Sequence, residues 1–447
     1  MRKANIFINS KLAGSLEETV SGYIFRYDPA YAGSYNSLPV SLTMPLTQLE
    51  HTSKSLHHVF NGLIPEGLLL DIAQTKLNLE TKDRMGLLLA LCRDNIGAIE
   101  VHHEETNDKI SVTGQLHSIP PEDINRDNIP KHGFCLCCLK PLNAIGENFN
   151  YHPECSLQLF GSKTPPVLDL SETTFESIVG EQLGMKMSLT GVQIKFSGNI
   201  VSLAKRQTHI FPNQYIIKPD PINENYKQLA IFEQLCMHLS RSLRLRTAES
   251  GLLYLPNGYP VFITKRFDRA KSGKISVEDF TQIFFKTEGH DKYMGSIEQI
   301  VQGIRKYCGR FALPNIQELY KVTVLNYLIG NADNHFRNFS LVYQKPGDEL
   351  LVSLAPFYDL VPSKFYVARD KEETALSISG KKKTIGRAGF VQLAEYCRLP
   401  VKELDETLGR FDTLLAKIPI WLDDLGIRQK DDFSHLINER LKLLRRE

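Results

Sequence analysis

The sequence predicts an α+β fold in which a β-rich lobe precedes a mostly helical lobe, with a smaller α+β module in front of both. Three observations support this fold class. Strand and helix patterns alternate over residues 191–267, apolar residues at helical spacing dominate after residue 300, and a polar segment separates both from the first hundred residues. The 447 residues suffice for two or three domains.

The overall composition is that of an ordinary globular protein. Hydrophobic residues make up 42% and charged residues 23% of the chain, and the formal net charge of +2 gives no reason to expect a polyanionic partner. No apolar run approaches the ~20 residues that span a bilayer, and polar residues after position 4 interrupt the apolar stretch that a signal peptide needs. We therefore expect a cytoplasmic protein with no membrane partner.

Composition shifts divide the chain into segments. The segment 105–134 is polar and contains several prolines, which is typical of an exposed linker. A cysteine cluster follows it, and a Gly-Ser-Lys-Thr-Pro-Pro run at 161–166 marks the next break. The predicted units are an N-terminal subdomain at 1–104, the linker at 105–134, a Cys/His segment at 135–160, the β-rich lobe at 161–300 and the helical lobe at 301–447.

The β-rich lobe is predicted from strand patterns interrupted by one helix. Apolar residues on both sides of Gly198-Asn199 predict a hairpin with a two-residue turn at that pair. A strand pattern covers 214–218, an apolar stripe predicts a helix over 226–239, and a further strand pattern covers 260–267. The order is therefore strand, helix, strand.

The helical lobe contains a polar loop and a hairpin. A helix with one apolar face is predicted to end at Gly330, and the following loop contains Asp333 and Asn338, five residues apart. A strand, a turn and a returning strand then lead to Asp359. The sequence thus places two polar side chains on one loop and a carboxylate after the next hairpin.

This arrangement suits phosphoryl transfer, in which the protein orients an acceptor hydroxyl with a carboxylate and holds Mg²⁺ with oxygen ligands. The spacing of Asp333 and Asn338 equals that of the Asp-x-x-x-x-Asn element of protein kinases. No His-Arg-Asp leads into the loop, and no Phe-Gly follows Asp359. The spacing alone arises often by chance, so the inference depends on further parts of the site.

Two upstream residues supply further parts. Phosphoryl transfer requires a strand lysine that reaches the nucleotide phosphates and a helix glutamate that holds it, and Lys218 and Glu233 fit these roles. The segment Ser188–Gln193 lies where a phosphate-covering loop is expected, although Gly191 is its single glycine. A lysine before proline is usually only a surface residue. The order of all the parts, more than any one of them, favours a kinase.

Longer runs of residues carry a family resemblance. These runs are Ser188–Gln193, Tyr215–Pro219, Arg266–Arg269, Leu328–Ser340 and Ala355–Leu360. They resemble the HipA-type serine/threonine protein kinases, the toxins of bacterial toxin–antitoxin modules, over about residues 161–430. The run Phe60–Gly67 resembles the signature of that family's N-terminal subdomain, so the chain carries both parts fused. The resemblance implies a bilobal, protein-kinase-like fold.

The resemblance also implies roles for individual residues. Asp333 would be the catalytic aspartate, Asn338 and Asp359 the Mg²⁺ ligands, and Lys218 the phosphate-binding lysine. A family member has an acidic residue where Lys265 stands, so only main-chain contacts are expected there. The remaining residues of the implied ATP site are Gly191, Val192, Gln193, Glu233, Lys265, Phe267 and His335.

Regulation and partners follow from the same resemblance. Ser188 and Thr190 fall at the family's autophosphorylation position, where about two added negative charges would repel ATP and switch the enzyme off. Relatives phosphorylate aminoacyl-tRNA synthetases and pair with a helix-turn-helix antitoxin of HipB type, through which alone they contact DNA. Two other functions stay open: a catalytically silent DNA-binding regulator acting with its antitoxin, and a small-molecule or lipid kinase of related fold.

Four of the eight cysteines crowd into one short segment. Cys135 and Cys138 form a Cys-x-x-Cys pair, and His152 and Cys155 form a His-x-x-Cys pair, with thirteen residues between the two pairs. Three thiolates and one imidazole suit a closed tetrahedral Zn²⁺ site, which would be structural because no position stays open for substrate. The alternative is a knuckle that packs without metal.

Overall fold

The structure, a computed structural model, describes most of the chain. The described residues are 1–65, 70, 79–93, 95–104, 115–118, 127–168, 196–202, 214–221, 226–270, 273–286, 289–366 and 372–445. Within them the chain is a mixture of strands and helices in which the buried apolar side chains form one continuous cluster. No helix of these ranges has the length and apolar composition needed to cross a bilayer.

The N-terminal subdomain is a five-stranded antiparallel sheet of order β4-β3-β2-β1-β5 with short helices beside it. Alternate residues of its first strand, Ala4, Ile6 and Ile8, are buried, as expected for a sheet with one face in the core. Its elements are β1 Lys3–Ile8, β2 Lys11–Thr19, β3 Gly22–Tyr27, α1 Pro29–Ala32, β4 Glu50–Ser53, α2 His58–Asn61, α3 Arg84–Leu91 and β5 Ile99–His103.

The β-rich lobe is a second five-stranded sheet, of order β6-β7-β8-β10-β9, in which only the β6–β7 pair is parallel. The Cys/His segment supplies two short helices between β6 and β7, and the long helix α6 packs against β9 and β10. The elements are β6 Gln115–Ser118, α4 Ala144–Glu147, α5 Pro153–Phe160, β7 Phe196–Ser202, β8 Tyr215–Pro219, α6 Leu229–Ser242, β9 Ser250–Tyr254 and β10 Pro260–Lys265.

Two predictions about this lobe are corrected. The hairpin turn at Gly198-Asn199 is wrong, because both residues lie within the continuous strand β7. Gly198 pairs with Tyr215 of β8, and Asn199 pairs with Gln115 of β6, so two neighbouring strands replace the local turn. The same pairing places strand β6 inside the segment expected to be an exposed linker, which therefore contributes to the sheet.

A third sheet connects the two lobes to the N-terminal subdomain. Strand β13 pairs with β14 (Ser340–Gln344), which pairs with β15 (Leu351–Leu354), in an antiparallel sheet, and β11 and β12 form a separate small pair. Glu278 of β13 accepts hydrogen bonds from the Ser41 hydroxyl (2.5 Å) and the Leu42 N–H (2.9 Å) of the N-terminal subdomain. The elements between β10 and the helical lobe are β11 Arg269–Ala270, β12 Gly273–Lys274, β13 Ser276–Asp279 and α7 Phe280–Ile283.

The helical lobe is assembled around α9, which packs against four helices of the same lobe, α8, α10, α11 and α13, and against α6 of the β-rich lobe. Its residues are buried on nearly every side from Leu319 onward, as expected for a central helix. Helix α8 begins with a capping box in which Ser296 and Gln299 exchange hydrogen bonds with each other's backbone. The elements are α8 Ile297–Tyr307, α9 Ala312–Ile329, β14 Ser340–Gln344, β15 Leu351–Leu354, α10 Arg387–Cys397, α11 Glu403–Leu415, α12 Ile418–Asp424 and α13 Lys430–Arg445.

Candidate active site

The polar loop predicted after α9 is present and is held from both sides. Helix α9 ends at Ile329 because Gly330 adopts the left-handed conformation, with φ of 79°, that favours glycine at this position. Asn331 is buried, donates a side-chain hydrogen bond to Asn326 Oδ1 (3.0 Å) and accepts one from the Asp333 N–H (3.3 Å). The loop backbone is thereby fixed while the Asp333 side chain stays exposed.

Asp333 and Asn338 lie together, as their spacing predicts. The Asn338 Nδ2 donates to the Asp333 carbonyl oxygen (3.0 Å), and the same carbonyl accepts the His335 N–H (2.9 Å). Because Nδ2 is used as a donor within the loop, the amide oxygen Oδ1 is the Asn338 atom suited to a metal ion. The contact of His335 with Asp333 is through its backbone, so His335 supports the loop.

Asp359 meets Lys218 and Glu233 across the two lobes. The Lys218 ammonium lies 2.6 Å from Asp359 Oδ1 and 2.6 Å from Glu233 Oε1. Asp359 has φ of 59°, a left-handed conformation that is uncommon for residues other than glycine and that occurs at strained functional turns. The structure thus joins the strand lysine, the helix glutamate and the aspartate after the hairpin.

Lys218 and Glu233 are nearly buried, whereas Asp359, their partner on the other side, is partly exposed to solvent. Only 9% of the Lys218 side chain and 1% of the Glu233 side chain are exposed, whereas Asp359 is 34% exposed. Burial opposes the ammonium charge, but the attraction of Asp359 and Glu233 outweighs it and raises the pKa of Lys218 above its usual value. Lys218 therefore stays a cation in contact with both carboxylates.

A hydrogen bond between the loop and the hairpin links these two groups. The Tyr358 hydroxyl, next in sequence to Asp359, donates to the Arg337 carbonyl oxygen (3.0 Å), next in sequence to Asn338. Tyr358 also contacts Phe267, with ring centroids 5.8 Å apart, which places Phe267 beside the site. The two expected metal ligands, Asn338 and Asp359, thus directly follow Arg337 and Tyr358, the two residues that this hydrogen bond joins.

Lys265 is the last residue of β10, and its side chain pairs with Glu249. Its ammonium lies 3.5 Å from Glu249, with about two-fifths of each side chain exposed. Its backbone N–H donates to the Glu249 carbonyl oxygen (2.8 Å). Both the backbone N–H and the ammonium of Lys265 thus contact Glu249, and the main-chain contact with a nucleotide expected here stays a prediction.

Sequence reasoning missed Tyr293. Its hydroxyl donates to Asp333 Oδ1 (2.6 Å), and its ring lies edge-on to the His335 ring, with centroids 5.0 Å apart. Tyr293, with Gly295, Ser296, Gln299 and Lys382, also lines an open pocket of about 400 Å³. No motif marks Tyr293, because forty residues separate it from Asp333.

Arg337 was not assigned a role either, although it lies inside the polar loop. Its guanidinium donates to the carbonyl oxygens of Gly62 (2.8 Å) and Ile64 (3.4 Å), both in the N-terminal subdomain. Its Nε lies 3.9 Å from Asp279 Oδ2. The N-terminal subdomain therefore contacts the loop between its two polar residues.

Several predicted residues lie outside the described part of the chain. These are the implied phosphate-covering residues Gly191, Val192 and Gln193, and the implied autophosphorylation residues Ser188 and Thr190. The four Cys/His residues are described, and one atom from each of Cys135, Cys138, His152 and Cys155 lies within 4.8 Å of the others.

Comparisons with known proteins agree with this architecture. Residues 187–418 match the model of the HipA-like C-terminal domain, and residues 4–102 match that of the HipA N-terminal domain. The Sinorhizobium fredii protein named "Putative kinase Y4mE" is 23% identical, covering 82% of this chain and 78% of its own length. A Haemophilus influenzae protein named "Putative kinase" is 29% identical, covering 62% of this chain and 83% of its own length.

Among solved structures, the HipA toxin of Shewanella oneidensis, determined with HipB and operator DNA, superposes over 99% of this chain and 96% of its own. The TM-score is 0.63 and the sequence identity is 17%, so this likeness supports the fold. The predicted α+β, bilobal, kinase-like fold with an N-terminal subdomain is therefore confirmed.

Proposed function

The chain belongs to the family defined by the HipA-like C-terminal domain, and from this premise we propose that it is an ATP-dependent serine/threonine protein kinase of the toxin type. The observation that carries the proposal is the contact of Lys218 with both Glu233 and Asp359, beside the loop of Asp333 and Asn338. These are the parts that phosphoryl transfer requires: a lysine for phosphates, oxygen ligands for Mg²⁺ and a carboxylate for the acceptor.

The donor set fits a magnesium ion. Asn338 Oδ1 and the Asp359 carboxylate are hard oxygen ligands, and Mg²⁺ in phosphoryl-transfer sites is held by one or two such side chains together with substrate phosphates. Bound there, the metal would neutralise charge on the transferring phosphate. Lys218, now in contact with Asp359, would bind the phosphates of ATP, and Glu233 would hold its ammonium in place.

Asp333 would orient the acceptor. In the transfer, the acceptor oxygen forms a bond to the γ-phosphorus, the bond from that phosphorus to the bridging oxygen breaks, and ADP leaves. The acceptor's proton passes to the Asp333 carboxylate. The Tyr293 hydroxyl, which donates to Asp333 Oδ1 at 2.6 Å, would compete with such an acceptor for this carboxylate. A serine or threonine of a substrate would replace it.

Autophosphorylation at Ser188 or Thr190 would regulate the enzyme. About two negative charges next to the triphosphate would oppose ATP binding by electrostatic repulsion. The protein substrate would be a component of translation, in particular an aminoacyl-tRNA synthetase. A HipB-type helix-turn-helix antitoxin would be the partner, as HipB is in the Shewanella oneidensis complex. Such a protein would act in the cytoplasm and contact DNA only through that antitoxin.

The proposal is tested by transfer of radiolabelled phosphate from ATP. Wild-type protein treated with a phosphatase should label itself when Mg²⁺ is supplied, and Asp333→Asn should not. Asp432→Asn, which removes an exposed carboxylate on α13, is the matched control and should label like wild type. Unlabelled wild-type protein, or equal labelling of Asp333→Asn, would contradict the proposal. Phosphoproteomics of cells expressing wild type or Asp333→Asn would then identify the substrate.

A further inference from the structure

The Cys/His segment has the geometry of a tetrahedral metal site. Cys138 Sγ lies 3.4 Å and Cys155 Sγ lies 4.0 Å from His152 Nδ1, and Cys135 supplies the fourth ligand atom. A tetrahedron with Zn–S bonds of ~2.3 Å and a Zn–N bond of ~2.0–2.1 Å has edges of about 3.6–3.8 Å. These two separations bracket that range, and all four ligand atoms lie within 4.8 Å of one another, about 1 Å more than the longest edge, so a zinc ion fits once the cluster contracts slightly.

The surroundings of the four residues favour metal binding over simple packing. His152 Nε2 lies 2.9 Å from the Pro141 carbonyl oxygen, a contact that places the ring proton on Nε2 and directs the lone pair of Nδ1 at the sulfurs. The His152 backbone N–H points at Cys135 Sγ (3.4 Å), an arrangement that stabilises a thiolate. Four protein ligands close the site, which is characteristic of structural zinc.

The loop between the first two ligands is bound by the helix that carries Glu233. The buried Gln234 side chain donates to the carbonyl oxygens of Leu136 (2.8 Å) and Cys137 (3.1 Å). Arg241, in the last turn of α6, donates to the Cys137 carbonyl (3.2 Å). Both carbonyls lie within the Cys-x-x-Cys loop, so a metal at this loop fixes the positions that α6 contacts.

Other elements meet the same loop. The Leu252 N–H of β9 donates to the Leu136 carbonyl (3.2 Å), and the Trp421 indole of α12 donates to the Leu139 carbonyl (2.9 Å). The Tyr151 hydroxyl, between the two ligand pairs, donates back to the Leu252 carbonyl (2.9 Å). The Cys/His segment therefore joins α6, the sheet edge and the C-terminal helices.

We propose that Cys135, Cys138, His152 and Cys155 bind one Zn²⁺, and that this metal holds α6 in the position that keeps Glu233 against Lys218. Gln234, which contacts the metal-binding loop, is adjacent in sequence to Glu233. The metal site stands independently of the activity, whereas its effect on nucleotide binding rests on the function proposed above. Zinc would thus act as a positioning element for the catalytic helix and take no part in the chemistry.

Zinc content tests the first part on the full-length protein. Wild type expressed with zinc should contain about one zinc per chain, measured by mass spectrometry of the metal and by release with a thiol-modifying reagent. Cys155→Ser should lose the metal, whereas Cys137→Ser, which alters the remaining thiol of the same loop, should keep it. Wild type without zinc, or equal zinc in wild type and Cys155→Ser, would overturn the site.

Binding of a non-hydrolysable ATP analogue with Mg²⁺ tests the second part. Chelation of zinc from wild type should weaken analogue binding about tenfold, equal to the loss of roughly 1.4 kcal/mol, and added zinc should restore it. Gln234→Leu should keep zinc yet bind the analogue equally weakly, which separates coupling from loss of the fold. Unchanged affinity after zinc removal would overturn the coupling. A wild type that binds zinc but no analogue would instead count against the proposed function.

Discussion

Replacing Lys218 by methionine leaves the Glu233 carboxylate in a buried place without its cation. Only 1% of the Glu233 side chain is exposed, so solvent cannot stabilise the charge, and removal of one partner from a buried ion pair is strongly destabilising. Asp359 is 34% exposed and keeps contact with water, so it adds less to the loss. The stability change is therefore expected to come mainly from Glu233.

The size of the effect follows from the free energy needed to protonate Glu233 in the folded variant. In the variant, the Glu233 carboxylate takes up a proton on folding. An unfolded glutamate has a pKa of about 4.3, so protonating it costs about 4 kcal/mol at pH 7 and about 1 kcal/mol at pH 5. The loss of stability of Lys218→Met should therefore shrink as the pH falls from 7 to 5. Adding Glu233→Gln to Lys218→Met removes the charge and should restore most of the stability at pH 7.

Urea unfolding of wild type, both single variants and the double variant at pH 5 and pH 7 measures these quantities. The double-mutant cycle should give a coupling free energy of about 2–3 kcal/mol at pH 7 and a smaller one at pH 5. Additive single losses within about 0.5 kcal/mol, or a loss that does not change with pH, would refute a buried ion pair at this position. The double variant is expected to be stable but inactive.

Three further predictions concern contacts around the site. Burial raises the pKa of Glu278 from 4.5 to about 7, so between these pH values the folded protein binds a proton that the unfolded chain lacks. The free energy of unfolding should therefore fall by about 3 kcal/mol as the pH rises from 4.5 to about 7. In urea titrations Glu278→Gln should flatten this part of the pH profile, and an unaltered profile would contradict the raised pKa of Glu278. Tyr293→Phe removes a hydroxyl that competes with the acceptor for Asp333, so the initial rate of self-phosphorylation should rise about threefold to tenfold. An equal or lower rate would show that Tyr293 does not occupy the acceptor position. Arg337→Ala removes the hydrogen bonds to Gly62 and Ile64 and should lower the free energy of unfolding by about 1–3 kcal/mol, measured by chemical unfolding, and also lower the kinase activity. A change in unfolding free energy within about 0.5 kcal/mol would mean that the N-terminal subdomain does not support the loop.

The elements that carry the site could be predicted because their signals are local. Periodic apolar residues and a terminal glycine indicate α9 and its end at Ile329, and alternation around a turn indicates the hairpin before Asp359. The strand of Lys218 and the helix of Glu233 were predicted from the same kind of pattern, and the structure brings the two side chains into contact. Their roles in catalysis stay predictions.

The parts that were missed or wrong depend on contacts distant in sequence. The Gly198-Asn199 pair has the composition of a turn, but pairing with β6 and β8 holds it in one strand, and strand pairing is not visible in a local pattern. Arg337 contacts Gly62, 275 residues away, and such a partner leaves no mark on the loop sequence. The convergence of the Cys/His residues was predictable because ligand spacing is itself a local signal.

A crystal structure of the full-length protein with Mg²⁺ and a non-hydrolysable ATP analogue tests the central claim most directly. The account predicts a metal ion bound by Asn338 Oδ1 and the Asp359 carboxylate at about 2.1 Å, with the Lys218 ammonium on the phosphates and Asp333 facing the terminal phosphate. A nucleotide bound away from Lys218, or a metal ion that neither Asn338 nor Asp359 contacts, would contradict it.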